Sequence, residues 1–241
     1  MANKKEVAVN EEISTAMAEV NDLASWGDDT QVESKDIILP RLYMMQALSQ
    51  LVSDDKAKVG DLVNSVTEEK LGDYETPVKF VPFKVEKLWF NYLATGDKPE
   101  FESIEPVTAA NINRPNETTV DGVKRTHQYA LRAYTLVEGE QLPLVITFKS
   151  TSLRAGKQLM TEMFVKNKMA GKNPAARYME LISKKEKNDK GTFCVFSLKA
   201  GDASPSEMQS TALQWVRTLA STEYAVAGSE EPQTKPETAN Y

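Results

Sequence analysis

The sequence predicts an α+β fold rich in strands: an antiparallel OB-like barrel or sheet with one inserted helix and one C-terminal helix. Three observations predict it. β-branched and aromatic residues alternate through 78–92, two hairpin-like segments follow, and two stretches switch to a helical period. Strands interrupted by one helix fit an OB-like barrel and a generic α+β sheet equally well, so both architectures stay open.

The strands are expected in this order. An extended segment with an internal proline opens the core at 37–45, and a second follows the Gly60-Asp61 turn. The strong strand at 78–92 contains Pro82, which predicts a break or a bulge. Residues 94–123 are rich in glycine, proline and asparagine, which is typical of a long loop. Residues 126–137 and 142–149 then predict a hairpin around a short connection that contains Gly139.

Two helices are expected after that hairpin. Leu153, Leu159, Met160, Met163 and Phe164 fall at helical spacing, which predicts a helix over 152–169. We expect Ser152 to cap its N-terminus and Gly171 to end it. A second hairpin is expected at 178–185 and 192–198. The Ser204-Pro205-Ser206-Glu207 signal then begins a C-terminal helix near 205–221.

Charge divides the chain into three parts. Residues 1–36 hold three Lys against nine Asp or Glu, a net charge of −6, and are expected to be a largely disordered acidic arm with a short amphipathic helix at 11–26. Residues 37–222 are expected to form a single globular β-rich domain. Residues 223–241 are expected to be a disordered, weakly acidic tail.

The second half of the core is basic although the chain as a whole is acidic. Residues 141–200 hold twelve Lys or Arg against four Asp or Glu, a net charge of +8, in a chain of net charge −6. A basic surface of that size attracts polyanions. The plainer alternative is a lysine-rich face that is merely solvated.

The composition gives little support to catalysis, metal binding or membrane insertion. No signal-peptide pattern opens the chain and no apolar run reaches the roughly 20 residues of a membrane span, so we expect a soluble cytoplasmic protein. The chain has one histidine, His127, and one cysteine, Cys194, so no zinc-binding cluster is formed by such residues. Gly156-Lys157 lacks the rest of a phosphate-binding loop. We expect no cofactor and no enzyme.

Cations and aromatic rings are the chemistry that the core does supply. Single-stranded nucleic acid needs a cationic track for phosphates and flat rings on which bases stack. The candidate binding residues are Trp89, Tyr92, Arg132, Tyr134, Lys149, Arg154, Lys157, Arg177, Tyr178, Lys184, Lys185 and Lys187. Period-two spacing puts Tyr134 on one strand face with Arg132, and Tyr178 with Lys184. The alternative is that the aromatics fill the core and that the lysines contact nothing.

Several short motifs of the core carry a family resemblance. They are Leu39-Pro40-Arg41-Leu42, Met45-Gln46-Ala47-Leu48-Ser49, Gly60-Asp61-Leu62-Val63-Asn64-Ser65, Phe80-Val81-Pro82, Phe148-Lys149-Ser150-Thr151-Ser152 with Gly156-Lys157, and Asn188-Asp189-Lys190-Gly191-Thr192. Over about residues 37–200 the chain resembles a family of bacteriophage proteins from replication and recombination gene clusters that are suspected of binding single-stranded DNA. The resemblance implies a phage origin, a β-rich core and a role linked to DNA, and it assigns no binding residue.

The expected function is therefore a non-enzymatic single-stranded-DNA-binding protein of a bacteriophage that protects or organises single strands in replication or recombination. Two alternatives stay open: a phage interaction protein that binds a host or phage protein, and a strand-annealing recombinase that forms rings or filaments. Single-stranded DNA is the expected partner. Phage or host replication proteins are candidate partners through the acidic termini, no membrane is expected, and a homo-oligomer is left open.

Overall fold

The structure is a computed structural model that describes residues 38–94, 99–140, 142–189, 191–221 and 225–226. Within these residues there are three α-helices: α1 (Gln50–Ser53), α2 (Leu153–Met160) and α3 (Ser206–Ser221). The strands are β1 (Ile38–Leu39), β2 (Leu42–Met44), β3 (Leu62–Asn64), β4 (Lys70–Gly72), β5 (Val78–Leu93), β6 (Glu100–Pro106), β7 (Glu117–Val120), β8 (Val123–Val137), β9 (Leu144–Lys149), β10 (Arg177–Asn188), β11 (Gly191–Ala203) and β12 (Ala225–Val226).

The long antiparallel pair of β5 and β8 forms the centre of the large sheet. It runs from Phe80 opposite Val137 to Leu93 opposite Arg125. The register shifts between Pro82 and Lys84, at the proline where the sequence predicts a break or bulge. Proline has no N–H to donate to a ladder, which explains why the irregularity falls here.

The two halves of this pair belong to different parts of the sheet. In the first half, β10 and β11 extend the sheet beside β5, and β9 pairs with β8. In the second half, β6 pairs with β5 and β7 pairs with β8. Two small sheets accompany the large one: an antiparallel sheet of β2, β3 and β4, and a parallel pair of β1 and β12.

Each side of the large sheet carries a helix. On the first side, which we call the α2 side, Phe80, Leu131 and Phe148 pack with Leu159 and Met163. On the other side, the α3 side, the helix α3 packs through Ala212 and Leu219 against Val81, Tyr134 and Leu136. Side chains alternate along a strand, so β5 contributes to both cores: Phe80 points to the α2 side and Val81 to the α3 side.

The β-rich, antiparallel character predicted from the sequence is confirmed. The sheets formed by the described strands are open, so the closed OB-like barrel does not form. The predicted loop at 94–123 contains β6 and β7, whose residues are too polar to show a clear apolar alternation. Helix α3 spans Ser206–Ser221, where the sequence places it at 205–221.

The chain termini fall mostly outside the described residues. The predicted acidic arm at 1–36, with its helix at 11–26, lies outside them, and so does the predicted tail apart from Ala225 and Val226. These two residues pair in parallel with Ile38 and Leu39. Among the described helices, none has both the length and the apolar character that crossing a bilayer requires.

Candidate nucleic-acid interface

The helical segment after β9 presents a basic outer surface. A 3-10 turn at Ser150–Ser152 leads into α2, and a π-helical stretch, Thr161–Asn167, continues it. Residues 150–173 contain five Lys or Arg and one acidic residue, a net charge of +4. All five cations are exposed. Lys166 is paired with Glu162, and we call the other four, Arg154, Lys157, Lys168 and Lys172, the helix cations.

Packing against the sheet fixes which side of the segment faces outward. Leu159 and Met163 are 0% and 1% exposed in the core on the α2 side. A Cβ atom at Gly156 would lie 2.7 Å from Cβ of Phe148 and 3.1 Å from Cδ1 of Leu131. Only a glycine therefore lets the helix approach β8 and β9 this closely. This packing role accounts for the Gly156-Lys157 pair, which the sequence does not place in a phosphate-binding loop.

The π-helical stretch changes the side on which Phe164 emerges. The α-helical period places Phe164 on the apolar side with Met160 and Met163, but its side chain is 39% exposed. A π-helix bonds i to i+5 and so turns each residue through a smaller angle than an α-helix does. Phe164 and Val165 are consequently exposed to solvent on the segment that carries the helix cations.

The two ends of this segment differ in how well they match the sequence prediction. Ser152 makes no side-chain cap hydrogen bond to α2, and its Oγ instead accepts from the backbone N–H of Phe196 at 3.2 Å. The hydroxyl thus joins the start of the helix to β11. Gly171 follows the helical segment with φ of +67°, the left-handed conformation predicted for the residue that ends it.

The helix cations keep their charge available. Lys166, on the same segment, is neutralised by an ion pair with Glu162, which is itself buried. Across the part of the chain that the structure describes, Arg154, Lys157, Lys168 and Lys172 form no salt bridge. Desolvated or paired lysines contribute little to a surface potential, whereas exposed unpaired ones do. The segment therefore presents four exposed positive charges and one exposed aromatic ring, that of Phe164.

A second basic group lies at the tip of the β10–β11 hairpin. Lys184, Lys185 and Lys187 are all exposed. Strand alternation directs Lys185 and Lys187 to the α2 side of the sheet, because β10 pairs in register from Met179 opposite Phe80. Lys184 points to the α3 side, where its Nζ atom lies 3.8 Å from Oε1 of Glu186. The α2 side thus holds the helix cations and two of the three predicted hairpin lysines.

Two predicted aromatic binding residues lie in cores. Trp89 is 5% exposed and packs edge to face against Tyr129, with ring centroids 5.6 Å apart. Tyr134 is 7% exposed under α3, and its hydroxyl donates to Oε2 of Glu86 at 2.9 Å. Burial, helped by the Glu86 charge, raises the pKa of Tyr134 to about 12. Neither ring offers a flat surface on which a base could stack.

The remaining predicted residues are half-buried. The Nζ atom of Lys149 lies 5.2 Å from the ring centroid of Phe90, and Tyr92 packs edge to face on Phe101. Arg132 faces Glu86 across β5 and β8. Arg177 donates from Nε to the backbone oxygen of Gly201 at 3.2 Å. Tyr178 packs at the border of the α3 core, and burial raises its pKa.

The twelve predicted residues are therefore not brought to one surface. Arg154 and Lys157 lie on the helical segment and Lys185 and Lys187 on the hairpin tip, all on the α2 side. Trp89 and Tyr134 lie in cores and Arg177 is half-buried at the start of β10. The α3 side holds the other five: Tyr92, Arg132, Lys149, Tyr178 and Lys184. Sequence reasoning missed two exposed rings, Phe164 and Tyr74. The exposure of Tyr74 could have been predicted from its place in the polar turn Gly72-Asp73-Tyr74-Glu75-Thr76, because an aromatic side chain there has no neighbouring apolar residues to pack against.

The single histidine lies in a buried hydrogen-bond network between β5 and β8. Nδ1 of His127 is 2.7 Å from Oδ1 of Asn91, and Nε2 is 2.7 Å from Oγ1 of Thr118. Nη1 of Arg114 donates to the same Oδ1 at 3.1 Å. Burial and the Arg114 charge lower the pKa of His127. The residue lies in β8, and its side chain is 8% exposed with both ring nitrogens in hydrogen bonds.

The described residues contain no cluster of side chains that could bind a metal ion. Nowhere in the described ranges do three His, Cys, Asp or Glu side chains converge as metal ligands would. Cys194 is 3% exposed, and burial raises the pKa of its thiol. Its backbone is held by Gln46, whose side-chain amide donates to the Cys194 oxygen and accepts from the Cys194 N–H, both at 3.1 Å.

Comparison with known proteins gives one match. The sequence model of a family described as Pam3 phage gp34-like protein matches residues 9–225. No curated protein and no solved structure matches the chain.

Proposed function

This chain belongs to the Pam3 phage gp34-like protein family, and we propose that it serves its phage as a single-stranded-DNA-binding protein. In this proposal the protein coats or organises single strands during replication or recombination and makes or breaks no bond. The binding surface is the outer side of the helical segment, with the helix cations Arg154, Lys157, Lys168 and Lys172 and the exposed ring of Phe164.

The observation that carries the proposal is the combination of exposed positive charge and an exposed ring on one helical segment. Each helix cation is exposed and, among the described residues, none is held in a salt bridge, unlike Lys166 beside Glu162. Phosphates displace counterions from such groups, which favours binding at low salt. The Phe164 ring adds a surface on which an unpaired base can stack, and stacking favours single strands over duplex.

The hairpin lysines extend this surface. Lys185 and Lys187 point to the same side of the sheet as the helical segment. A strand that follows both groups would cross from the helix to the hairpin tip along the α2 side. We propose this path for the single strand. Phage or host replication proteins remain proposed partners.

The test is fluorescence anisotropy of a labelled oligo-dT of about 30 bases, titrated with the full chain at several salt concentrations, with a duplex of the same length. The diagnostic variant replaces the helix cations together: Arg154→Gln, Lys157→Gln, Lys168→Gln and Lys172→Gln. Its matched control replaces four cations that are paired: Lys56→Gln, Lys124→Gln, Lys166→Gln and Lys199→Gln. Both variants lose the same charge, so a difference between them reports position.

We expect tight, salt-sensitive binding of the single strand and weak binding of the duplex. The diagnostic variant should bind much more weakly, and its slope of log affinity against log salt should flatten by roughly 0.7 for each phosphate that it no longer neutralises. The control should keep most of the slope. Absence of single-strand binding by the unmodified chain, or equal losses of affinity in both variants, would overturn the proposal.

One observation favours a second candidate, a phage protein that binds another protein. Val165 and Met169, on the same segment as Phe164, are 49% and 83% exposed, so the segment presents exposed apolar side chains as well as charge. Such a surface suits an acidic, partly apolar protein segment as well as a nucleic acid. If oligo-dT binding fails while the same four Gln substitutions abolish association with an acidic phage or host protein, this second function takes precedence.

A further inference from the structure

The turn between β4 and β5 displays an aromatic side chain on a fixed backbone. Oδ1 of Asp73 accepts from the backbone N–H groups of Glu75 and Thr76 at 2.7 and 2.8 Å. The N–H of Asp73 donates to the Thr76 oxygen at 2.9 Å. Tyr74 sits inside this closed turn, and its side chain is 57% exposed. A ring held on an ordered turn loses little conformational freedom when something stacks on it.

Charges anchor this turn to the rest of the protein. Nζ of Lys70 lies 2.7 Å from Oδ2 of Asp73 and 2.9 Å from Oδ1 of Asp61. The Lys70 hydrogen bond and the two backbone N–H groups lower the pKa of Asp73 to about 2, so the anchor is charged throughout the neutral range. The Ser183 N–H also reaches the Asp73 oxygen at 3.4 Å, which ties the turn to β10.

One lysine of the hairpin tip lies beside the displayed ring. Nζ of Lys185 lies 6.0 Å from the centroid of the Tyr74 ring, the outer limit of a cation–π contact. Lys185 thus covers one face of the ring and leaves the rest in solvent. Lys187, two residues further along β10, is exposed on the same side of the sheet as Lys185. The arrangement supplies one flat ring for a base and positive charge for the phosphates beside that base.

We infer that Tyr74 is a base-stacking residue of the single-strand site, with Lys185 and Lys187 holding the adjacent phosphates. This inference rests on the proposed function and adds a second contact point to it, apart from the helical segment. The occupant is an unpaired base of single-stranded nucleic acid. A duplex keeps its bases stacked within the helix and does not offer one to the ring.

Three single substitutions test the inference in the same anisotropy titration with oligo-dT. Tyr74→Ala removes the ring, Tyr74→Phe keeps it, and Val66→Ala trims another side chain that is also 57% exposed. We expect Tyr74→Ala to weaken binding about tenfold, because one stacked base contributes roughly that factor. Tyr74→Phe and Val66→Ala should bind like the unmodified chain. Circular dichroism and urea unfolding of each variant check that the fold is kept.

A second readout detects the contact itself. An oligonucleotide carrying 5-iodouracil, irradiated in complex with the full chain, should crosslink to the peptide that contains Tyr74, since this base reacts with rings on which it stacks. If the unmodified chain binds but Tyr74→Ala binds equally well and no adduct forms there, the inference is overturned while the proposed function stands. Equal weakening by Tyr74→Phe also overturns it, because the ring alone then does not suffice. No binding by the unmodified chain overturns both.

Discussion

His127 and Asn91 lie directly opposite each other on β8 and β5, with Nδ1 of the histidine 2.7 Å from Oδ1 of the amide. The Asn91 amide nitrogen donates to Ser103 and Glu105, both at 2.9 Å. Its oxygen is therefore the acceptor, and His127 Nδ1 carries the proton. Nε2 is then free to accept from Thr118. The network fixes a neutral imidazole at the centre of β6, β5, β8 and β7.

The first prediction concerns acid stability. Burial and the Arg114 charge lower the pKa of His127 in the folded protein, while an unfolded histidine takes up a proton below about pH 6.5. The unfolded state then binds more protons, so the free energy of unfolding should fall as the pH drops through this value. Urea unfolding of the unmodified chain and of His127→Gln at about pH 7.5 and 5.5 measures this contribution. The variant should lose less stability over that range, and an identical loss would contradict the assignment.

Gly156→Ala should destabilise the protein. Alanine favours a helix over glycine by about 1 kcal/mol, but overpacking a core costs about 1–3 kcal/mol. The new Cβ would lie 2.7 Å from Phe148 Cβ, an atom that cannot move without its backbone. We therefore expect the cost to exceed the gain and the free energy of unfolding to fall by about 1 kcal/mol or more. Gln158→Ala, on the exposed side of the same helix, is the control. Urea denaturation showing Gly156→Ala as stable as that control would contradict the packing argument.

Hydrophobic periodicity and local signals such as prolines and N-cap residues predict the regular strands and helices. The alternation at 78–92 predicts β5, Pro82 marks its irregularity, and the Ser204-Pro205 signal predicts the start of α3. These features depend on near neighbours in the chain, so they can be recognised without knowing the tertiary structure. The strand-rich antiparallel class follows from them.

The candidate site is harder to predict because exposure depends on distant packing. In the sequence, Trp89 and Tyr134 look like residues that could stack on bases. The sheet register instead brings Trp89 against Tyr129 and Tyr134 against Glu86. The helical period places Phe164 on the apolar side because a π-helical stretch is not visible as a change of period over seven residues. Charge is the more dependable signal, since an exposed lysine is the normal state of that residue.

Tyr134→Phe should separate a core role from a binding role. The change removes a hydroxyl that donates to Glu86 at 2.9 Å, so we expect the free energy of unfolding to fall by about 0.5–1.5 kcal/mol. The affinity for oligo-dT should stay unchanged, because the ring is covered by α3. The pKa of Tyr134 is raised to about 12, so the unmodified chain should lose additional stability as the pH rises from about 10 towards 12, where only the unfolded tyrosine ionises. The variant should lack that loss, and weaker DNA binding at unchanged stability would contradict the core role.

The anchor of the Tyr74 turn gives the last prediction. Asp73→Ala removes an acceptor for two backbone N–H groups and should lower the free energy of unfolding by about 1–2 kcal/mol. Asp73→Asn keeps an oxygen for those N–H groups and loses only the charge facing Lys70, whose side chain is 46% exposed, so we expect a loss below about 1 kcal/mol. The pKa of Asp73 is lowered to about 2, so the charge contributes above the unfolded pKa of about 3.9 and is lost as the pH falls towards 2. Urea unfolding at neutral pH ranks the two variants. If Asp73→Asn costs as much as Asp73→Ala, the Lys70 ion pair and not the backbone turn holds Tyr74 in place.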